Sequence, residues 1–357
     1  MSIRETVSWR GVIAEYRDFL AGGEIEKPVT LLEGNTPLVA AERLARRFGW
    51  SFRLYFKCEG LNPTGSFKDR GMTLAVSRAV ASGAQGVVCA STGNTAASAS
   101  AYAARAGVRC LIVVPHGAVA LGKLSQSLIH GATVVAIEGN FDQALEIVRQ
   151  LADQYGLALV NSVNPDRLEG QKTGAFEICD QLASAPSHHV LPVGNAGNIS
   201  AYWAGYQQYA SAGRIERAPK MMGFQAAGAA PIVEGRPIAN PITIATAIRI
   251  GNPASWAKAV EARDSSGGCI KAVSDEKILE AYRLLATEEG IFAEPASAAS
   301  LAGVIQLAAE GYFKPEDTLV AVLTGHGLKD PASAMGQFHE TPPVAATCDA
   351  VARSVGL

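Results

Sequence analysis

The sequence is short of charge. Only 18% of its 357 residues are Asp, Glu, Lys or Arg, and 31 basic against 33 acidic side chains leave a net charge of −2. No basic block occurs, which argues against binding to nucleic acid or to an anionic membrane surface. Because 48% of the residues are hydrophobic, we expect much apolar surface to be buried in cores or in a subunit interface.

Patterns typical of disulfide frameworks and metal sites are also missing. The six cysteines include no C-x-x-C pair, and Cys58, Cys89 and Cys110 lie in apolar runs, where a reduced cysteine behaves as a small hydrophobic side chain. We therefore expect neither a disulfide framework nor a bound metal.

Long apolar runs are absent as well. No stretch approaches the roughly 20 residues of a membrane-spanning helix. Residues 1–20 carry charges throughout and contain no apolar signal core. These absences predict a cytoplasmic protein that does not associate with membranes.

From residue 53 onward, short β-rich runs alternate with longer helix-like runs. Strands are predicted at 53–58, 86–91, 109–115, 132–137, 157–162, 189–194, 220–225, 270–274 and 318–324. Helices are predicted at about 67–82, 94–106, 119–130, 141–155, 168–184, 198–212, 253–262, 275–289 and 296–309. Strand, helix and strand at this spacing form the βαβ unit, which requires parallel strands with helices on both faces of the sheet.

So many predicted strands exceed one open sheet and indicate an α/β chain of two domains, with mainly parallel twisted sheets flanked by helices. No polar linker separates the domains. We predict a small domain at 85–165, inserted into a large domain formed by 1–84 and 166–357, with the ligand in the cleft between them. Ligands of parallel sheets bind beyond the carboxyl ends of the strands, so the strand-to-helix loops are the places to search.

One such loop carries a lysine at the start of a predicted helix. In "GLNPTGSFKDRG" (60–71), Ser66 is predicted to be the helix N-cap, which puts Lys68 in the first turn. There the helix dipole disfavours an ammonium and burial favours the neutral amine, which is the nucleophilic form. The alternative is a surface lysine after a turn, but Phe67 and the flanking glycines favour close approach of a bulky ligand.

A second loop, "PVGNAGN" (192–198), also joins a predicted strand to a predicted helix. Gly194 and Gly197 are expected to adopt conformations that other residues avoid, so that successive N–H groups converge on an anion at the helix N-terminus. Asn195 and Asn198 add side-chain donors. An ordinary turn is the alternative. A neutral lysine together with a cradle for one phosphate suggests pyridoxal phosphate, bound as a Schiff base.

Two more loops supply polar groups for such a ring. In "STGNT" (91–95), Asn94 is expected to bond the ring hydroxyl, and in "VLTGHG" (322–327), Thr324 is expected to bond the ring nitrogen. Helix capping is the alternative for residues of these types. The neighbouring hydroxyl groups form a pocket of donors that suits a substrate carboxylate; they belong to Ser91, Thr92 and Thr95.

Together these loops resemble the motif set of the threonine synthases, a family within the fold type II pyridoxal phosphate enzymes, which are related to tryptophan synthase β. The resemblance covers about residues 28–332. It extends to "TLLEGNTPL" (30–38), "NSVNPDRLEGQKT" (161–173), "TIATAIRIG" (243–251) and "EPASAAS" (294–300).

The resemblance implies a homodimeric lyase that uses pyridoxal phosphate to convert O-phospho-L-homoserine and water into L-threonine and phosphate. It implies that Lys68 carries the cofactor and is the catalytic base. The other cofactor-binding residues that it implies are Phe67, Asn94, Gly194, Asn195, Ala196, Gly197, Asn198 and Thr324.

For the phosphate group of the substrate, the resemblance implies Asn161, Ser162 and Arg167. A guanidinium has a fixed charge and bidentate geometry, which suits that role. The alternative for Arg167 is a surface ion pair with Asp166 or Glu169.

Three other functions stay open. A serine/threonine dehydratase of the same fold needs no site for a substrate phosphate, and these enzymes usually carry a run of glycines where this chain has "GNAGN". They also lack the stretch "NSVNPDRLEGQKT". A cysteine-synthase-like enzyme is disfavoured for the same reasons, and a non-catalytic carrier of pyridoxal phosphate has no use for Arg167.

Overall fold

The structure, a computed structural model, describes residues 9–117, 121–337 and 342–357. Within these ranges the strands are β1 Leu38–Ala40, β2 Arg53–Cys58, β3 Gly86–Ala90, β4 Arg109–Pro115, β5 Thr133–Ile137, β6 Leu157–Leu159, β7 His188–Pro192, β8 Lys220–Ala226, β9 Cys269–Val273 and β10 Thr318–Leu323.

The α-helices of the described residues alternate with these strands. They are α1 Val12–Glu15, α2 Glu42–Phe48, α3 Lys68–Ala81, α4 Asn94–Ala106, α5 Leu121–Ile129, α6 Phe141–Tyr155, α7 Pro165–Gln171, α8 Thr173–Leu182, α9 Gly197–Ser211, α10 Pro231–Glu234, α11 Trp256–Ser265, α12 Asp275–Glu289, α13 Pro295–Ala309, α14 Pro331–Met335 and α15 Cys348–Ser354.

The strands form two sheets. The large sheet has the order β1-β2-β10-β7-β8-β9, and the small sheet has the order β5-β4-β3-β6. Every pairing among these strands is parallel except that of β1 with β2. The α/β class and the mainly parallel sheets that the sequence predicted are confirmed.

Buried apolar residues cover both faces of each sheet. Successive residues of β3 point to opposite faces: Val87 and Cys89 join one core cluster, whereas Val88 and Ala90 join another. Helix α3 packs into the first of these clusters through Met72. The lysine-bearing helix therefore follows a strand of the large sheet but lies against the small one.

The element boundaries differ from the sequence predictions in a few places. All nine predicted strands are present, but β1 was missed, because it is a three-residue edge strand whose only support is its pairing with β2. The helix predicted at 168–184 is two helices separated by Lys172. The helix predicted at 119–130 begins partly outside the described residues, and its described part is α5.

A search of the described helices for one both long and apolar enough to cross a membrane found none.

Candidate active site

The loop between β2 and α3 places Lys68 at the start of a helix. The strand ends at Cys58, a 3₁₀ turn follows at Glu59–Leu61, and α3 begins at Lys68 itself. The predicted N-cap at Ser66 is wrong, since Phe67 occupies that position without a side-chain cap. The Ser66 hydroxyl still accepts a long hydrogen bond from the Lys68 N–H, at 3.4 Å.

The turn before Lys68 is held by the neighbouring carboxylate of Asp69. It accepts hydrogen bonds from the Thr64 N–H at 2.7 Å and from the Thr64 hydroxyl at 2.6 Å. It also accepts one from the Ser98 hydroxyl of α4, at 2.6 Å. Burial raises the pKa of Asp69 to about 6, although these hydrogen bonds oppose the rise. Asp69 thus ties the lysine turn to the helix that begins at Asn94.

Lys68 as a whole residue is partly exposed, whereas its amine group is buried. The Nζ atom is 4.2 Å from the centroid of the Phe67 ring. Burial and, to a smaller extent, the charge of Arg167 lower the pKa of Lys68 to about 7, against the opposing charge of Glu294. A substantial share of the amine is therefore neutral at pH 7 and able to attack a carbonyl carbon or to accept a proton. A freely exposed surface lysine would keep its ordinary pKa.

Backbone hydrogen bonds join the lysine turn to the loop after β10. The Phe67 N–H donates to the Thr324 carbonyl at 3.0 Å, and the His326 N–H donates to the Gly65 carbonyl at 2.9 Å. These two hydrogen bonds join two loops that lie about 250 residues apart in sequence. This pairing places Thr324 directly beside the turn that carries Lys68.

Between Asn94 and Thr324 lies a carboxyl group that the sequence reasoning missed. Glu294, only 4% exposed, precedes α13. Its Oε2 atom accepts a hydrogen bond from Asn94 Nδ2 at 3.1 Å, and its Oε1 atom accepts one from the Thr324 hydroxyl at 3.3 Å. Burial raises the pKa of Glu294. The only sequence signal was its place in "EPASAAS", an acidic residue in an otherwise uncharged segment.

The turn at 193–196 leads from β7 into the N-terminus of α9. The left-handed conformation is at Ala196 (φ 64°), and neither glycine of the loop has a positive φ. Gly194 is instead needed for space, because a Cβ atom there would lie 2.9 Å from Ile248 Cα. A Cβ atom on Gly197 would meet Leu168 at 3.4 Å and Ser255 at 3.9 Å, which is ordinary contact. The first N–H groups of a helix have no intrahelical acceptor, so this turn can receive an anion.

Asn198 is the unpaired polar side chain of this turn. It is 9% exposed, and neither Oδ1 nor Nδ2 of its amide has a hydrogen-bond partner among the described residues. Asn195 differs: its Nδ2 donates to the Ser162 hydroxyl at 2.5 Å, and its Oδ1 accepts from the Ala254 N–H at 2.7 Å. The Asn195 side chain therefore holds neighbouring loops in place, whereas that of Asn198 is free to bind a ligand.

The loop at 91–95 presents three partly exposed hydroxyl groups. Ser91 accepts a long hydrogen bond from the Gly93 N–H, at 3.3 Å. Neither Thr92 nor Thr95 uses its hydroxyl in a hydrogen bond within the described part of the chain. The loop thus offers unengaged donors beside Asn94, as a pocket for a carboxylate requires.

Asn161 continues the small sheet with its side chain. Its Oδ1 accepts from the Ala90 N–H at 3.0 Å, and its Nδ2 donates to the Ala90 carbonyl at 2.9 Å. The side chain thereby supports the start of the 91–95 loop. One N–H of the amide is left for another acceptor.

Arg167 is fully buried and has no ion-pair partner in the ranges that the structure describes. Its Nη1 donates to the Val160 carbonyl at 2.8 Å, while Nε and Nη2 have no partner. Burial lowers the pKa of this guanidinium to about 10. Asp166 pairs with Arg78 and Glu169 with Lys172, so the alternative of a surface ion pair for Arg167 is excluded.

Beneath the site lies a buried ion network that the sequence did not reveal. The Arg70 guanidinium bonds Glu59 at 2.7 Å and Glu177 at 2.9 Å, and Lys57 Nζ bonds Glu177 at 2.5 Å. The charges of Arg70 and Lys57 lower the pKa of Glu177 to about 2 against the opposing effect of burial. Because Arg70 stands two residues after Lys68, the network anchors the lysine-bearing turn of α3.

No cluster of three or more potential metal-ligating residues occurs in the ranges that the structure describes. Titratable groups in the site are a lysine, an arginine and single carboxylates. The site can therefore bind an anion, at the turn before α9 or at Arg167, and a carbonyl compound, at the Lys68 amine.

Comparison with known proteins names the family. A family profile with the description "Pyridoxal-phosphate dependent enzyme" matches residues 29–325. The chain belongs to the pyridoxal-phosphate-dependent enzymes. Its relatives within this family include the threonine synthase of Mycobacterium tuberculosis (strain ATCC 25618 / H37Rv), 56% identical over 98% of this chain and 97% of the relative. Another is that of Methanocaldococcus jannaschii, 51% identical over 97% of this chain and 86% of the relative.

Solved structures of this family have the same fold. A threonine deaminase of T.th. is 26% identical, with a TM-score of 0.71 over 93% of this chain and 98% of that protein. An O-ureido-L-serine synthase is 21% identical, with a TM-score of 0.73 over 92% of this chain and 100% of that protein. The second likeness supports the fold alone, and both agree with the predicted fold type II architecture.

The site residues fit pyridoxal phosphate, the cofactor of this family. Lys68 offers an amine that is partly neutral at pH 7, and the turn before α9 offers N–H groups and an unpaired Asn198 amide for a phosphate. Asn94 and Thr324 lie on either side of one buried carboxyl group, where they can meet two positions of a ring.

Proposed function

We propose that the chain catalyses the conversion of O-phospho-L-homoserine and water into L-threonine and phosphate. The observation that carries this proposal is identity above 50% to threonine synthases over nearly the whole chain. A second observation supports it: Arg167, buried without an anionic partner among the described residues, suits a substrate that brings a phosphate of its own.

Lys68 is the base of the proposed reaction and the covalent attachment point of the cofactor. Pyridoxal phosphate, when bound, supplies an electron sink for the carbanion at the substrate Cα. Lys68 takes the proton from Cα and then one from Cβ, and the bond from Cγ to the phosphate oxygen breaks. The amine returns one proton to Cγ, water adds its hydroxyl group at Cβ and gives up its proton, one proton returns from Lys68 to Cα, and the third proton leaves with the phosphate. A pKa of about 7 lets one group accept and return these protons near neutral pH.

The remaining residues bind and orient. The hydroxyl groups of Ser91, Thr92 and Thr95 hold the substrate carboxylate. The turn at 194–198 holds the cofactor phosphate, with Asn198 as its side-chain donor.

Arg167, Ser162 and Asn161 surround the substrate phosphate in this proposal. Arg167 has no exposed surface, so the loop at 161–167 has to move before the phosphate can reach it. Such movement fits a site between two domains.

We assign the small domain to residues 85–165 and the large domain to 1–84 and 166–357, with the cofactor in the cleft between them. All four strands of the small sheet lie within 86–159, which supports this division.

We also propose a cytoplasmic homodimer. Apolar side chains exposed by two thirds or more, among them Ile129, Ile242 and Leu328, supply surface for a second copy of the chain. Light scattering of the purified holoenzyme measures the oligomeric state, and a mass of one chain contradicts the dimer.

The test is to incubate the pyridoxal phosphate-loaded protein with O-phospho-L-homoserine and to quantify phosphate and amino acids in the same sample. Equal amounts of phosphate and threonine support the proposal. No phosphate, with 2-oxobutanoate formed from threonine, moves the chain to the dehydratases. Lys68→Ala is the control; it should lose both turnover and covalently held cofactor, whereas retained turnover contradicts the role of Lys68.

A further inference from the structure

Glu294 occupies a position in the site that neither the motifs nor the proposed reaction explain. The residue is 4% exposed, and its carboxyl group accepts hydrogen bonds from Asn94 of α4 and from Thr324 after β10. Burying a carboxyl group is unfavourable unless its oxygens are paired, so its retention here needs a reason.

The glycine at position 325 leaves space for the Glu294 carboxyl group. A Cβ atom on Gly325 would lie 2.6 Å from Glu294 Cδ and 2.6 Å from its Oε1. The Glu294 N–H in turn donates to the Gly325 carbonyl at 2.9 Å. Only a glycine at 325 leaves room for the carboxyl group in this place.

Two groups that face the cofactor ring in the proposed function are thus bonded to one acceptor. A carboxylate accepts hydrogen bonds from an amide N–H and from a hydroxyl at once, which orients both donors. Ser297 extends this hydrogen-bond network, because its hydroxyl group lies 3.0 Å from the hydroxyl group of Thr324. Glu294 therefore orients the Asn94 amide, and the Thr324 hydroxyl lies within hydrogen-bond distance of both Glu294 and Ser297.

The charges around Glu294 come from separate elements. Lys68 of α3 and Lys329 after β10 favour its ionised form, whereas burial favours the neutral form. Lys68 itself is faced by Arg167 of α7 and by Glu294. Lys329 is faced by Asp69 and Glu294, and its amine donates to Gln126. The charge of Glu294 thus raises the pKa of Lys68, and that of Arg167 lowers it.

We propose that Glu294 is a positioning residue of the cofactor site: its buried carboxyl group bridges Asn94 of α4 and Thr324 after β10. This inference rests on the cofactor-binding part of the proposed function. It does not depend on which substrate the enzyme uses.

The test uses cofactor-free protein and pyridoxal phosphate, without any amino-acid substrate. Glu294→Gln keeps the shape but can accept from only one of the two donors, so the affinity for pyridoxal phosphate should fall at least about tenfold. Loss of the negative charge should also move the pH midpoint of cofactor association to a lower value, because the charge of Glu294 raises the pKa of Lys68. Wild-type affinity together with a wild-type midpoint overturns the proposal.

Two further variants separate this role from a structural one. Glu33→Gln alters another buried carboxyl group, which accepts from Tyr102 at 2.8 Å; it should lower the melting temperature without changing cofactor affinity or the midpoint. Gly325→Ala displaces the Glu294 carboxyl group without removing it and should weaken cofactor binding as Glu294→Gln does. It serves as the test if Glu294→Gln fails to fold, and unchanged binding in it contradicts the proposal.

The result is also distinguishable from a failure of the proposed function. If Lys68→Ala still takes up cofactor covalently, the attachment site is elsewhere and the proposed function fails at that point. If wild-type protein binds the cofactor but releases no phosphate from O-phospho-L-homoserine, only the substrate assignment fails, and the outcome for Glu294 stands.

Discussion

Lys68 is faced by charges that come from distant parts of the chain. Arg167 lies about 100 residues later and lowers the pKa of Lys68, while Glu294 lies about 225 residues later and raises it. Burial is the largest influence and favours the neutral amine. The protonation state of Lys68 therefore depends on its burial and on charges contributed by two distant segments of the chain.

The first prediction concerns the pH dependence of cofactor uptake. Only the neutral amine attacks an aldehyde, so the rate of pyridoxal phosphate association with the cofactor-free protein should rise with pH and be half-maximal near pH 7. Stopped-flow absorbance from pH 5 to above pH 11 measures it, with Lys68→Ala as the blank. A midpoint near the ordinary lysine value of 10.5 would contradict the burial of this amine.

The second prediction separates two roles of Arg167. Replacing it with Ala removes a buried charged donor, so KM for O-phospho-L-homoserine should rise at least about tenfold while cofactor affinity changes little. The midpoint of cofactor uptake should rise as well, because the charge of Arg167 lowers the pKa of Lys68. Arg167→Lys, which keeps the charge, is the matched control. An unchanged KM with a raised midpoint would show that Arg167 acts on Lys68 alone.

At the scale of elements, the crossing of α3 and α7 brings Arg167 to Lys68. Two glycines lie at this crossing. A Cβ atom on Gly71 would lie 2.5 Å from the carbonyl oxygen of Arg167. A Cβ atom on Gly170 would lie 2.1 Å from the carbonyl oxygen of Arg70. Each contact is with backbone, which cannot turn aside as a side chain can. The two helices approach so closely because neither glycine carries a side chain.

The third prediction follows from this contact. In an open helix position, Gly→Ala stabilises by about 1 kcal/mol, but the clash in Gly71→Ala should reverse the sign and destabilise by about 1–3 kcal/mol. Urea unfolding of the cofactor-free protein measures the difference. Gly336→Ala is the control, because the nearest atom to its Cβ is 3.4 Å away. A Gly71→Ala protein as stable as the wild type would mean that the helices can move apart freely.

At the scale of the whole molecule, the buried ion network links strand, turn and helices beneath the site. Glu177 of α8 receives the charges of Lys57 from β2 and Arg70 from α3, and it also accepts the Thr36 N–H at 2.8 Å. Breaking such a network leaves buried charges without partners. The network thus anchors the start of α3 to β2 and α8.

The fourth prediction is an acid dependence of stability. The pKa of Glu177 is about 2 in the folded chain against an ordinary value of 4.5, so its ionised form stabilises the fold above pH 4.5. This contribution is lost as the pH falls from 4.5 towards 2. Glu177→Gln should be less stable at pH 7 by about 3–5 kcal/mol and should lack this part of the acid dependence.

Denaturant unfolding at several pH values measures this effect. Glu288→Gln, which alters a surface pair with Arg43, should leave the curve nearly unchanged. Equal acid dependence in Glu177→Gln and the wild type would contradict the assignment.

Much of the site was predictable because its loops are local signals. The turn before α3 and the turn before α9 each join a strand to a helix, and both were placed from runs of a few residues. Glu294 and the network around Arg70 were missed for the opposite reason. In a sequence, a buried carboxyl group cannot be told from a surface one until its partners are known. Glu294 pairs with Asn94 and Arg70 pairs with Glu177, and the two residues of each pair are more than 100 positions apart.

Two local predictions, the role of the glycines at 194–198 and the N-cap of α3, were wrong because contacts with distant segments decide them. The glycines of the 194–198 turn were expected to serve backbone conformation, but Ala196 takes the left-handed position and Gly194 makes room for Ile248. The N-cap predicted at Ser66 moved by one residue because Asp69 and the pairing with the 324–327 loop define the turn.

By itself, the sequence determined the order of strands and helices, the parallel sheets and the lysine at a helix start, because each depends on periodicity and turn residues within a short window. The tertiary structure alone decided the lowered pKa of Lys68, the burial of Arg167 without a partner among the described residues and the bridge made by Glu294. Each of these depends on desolvation and on charges contributed by distant segments, and such effects exist only once the two sheets and their loops have come together.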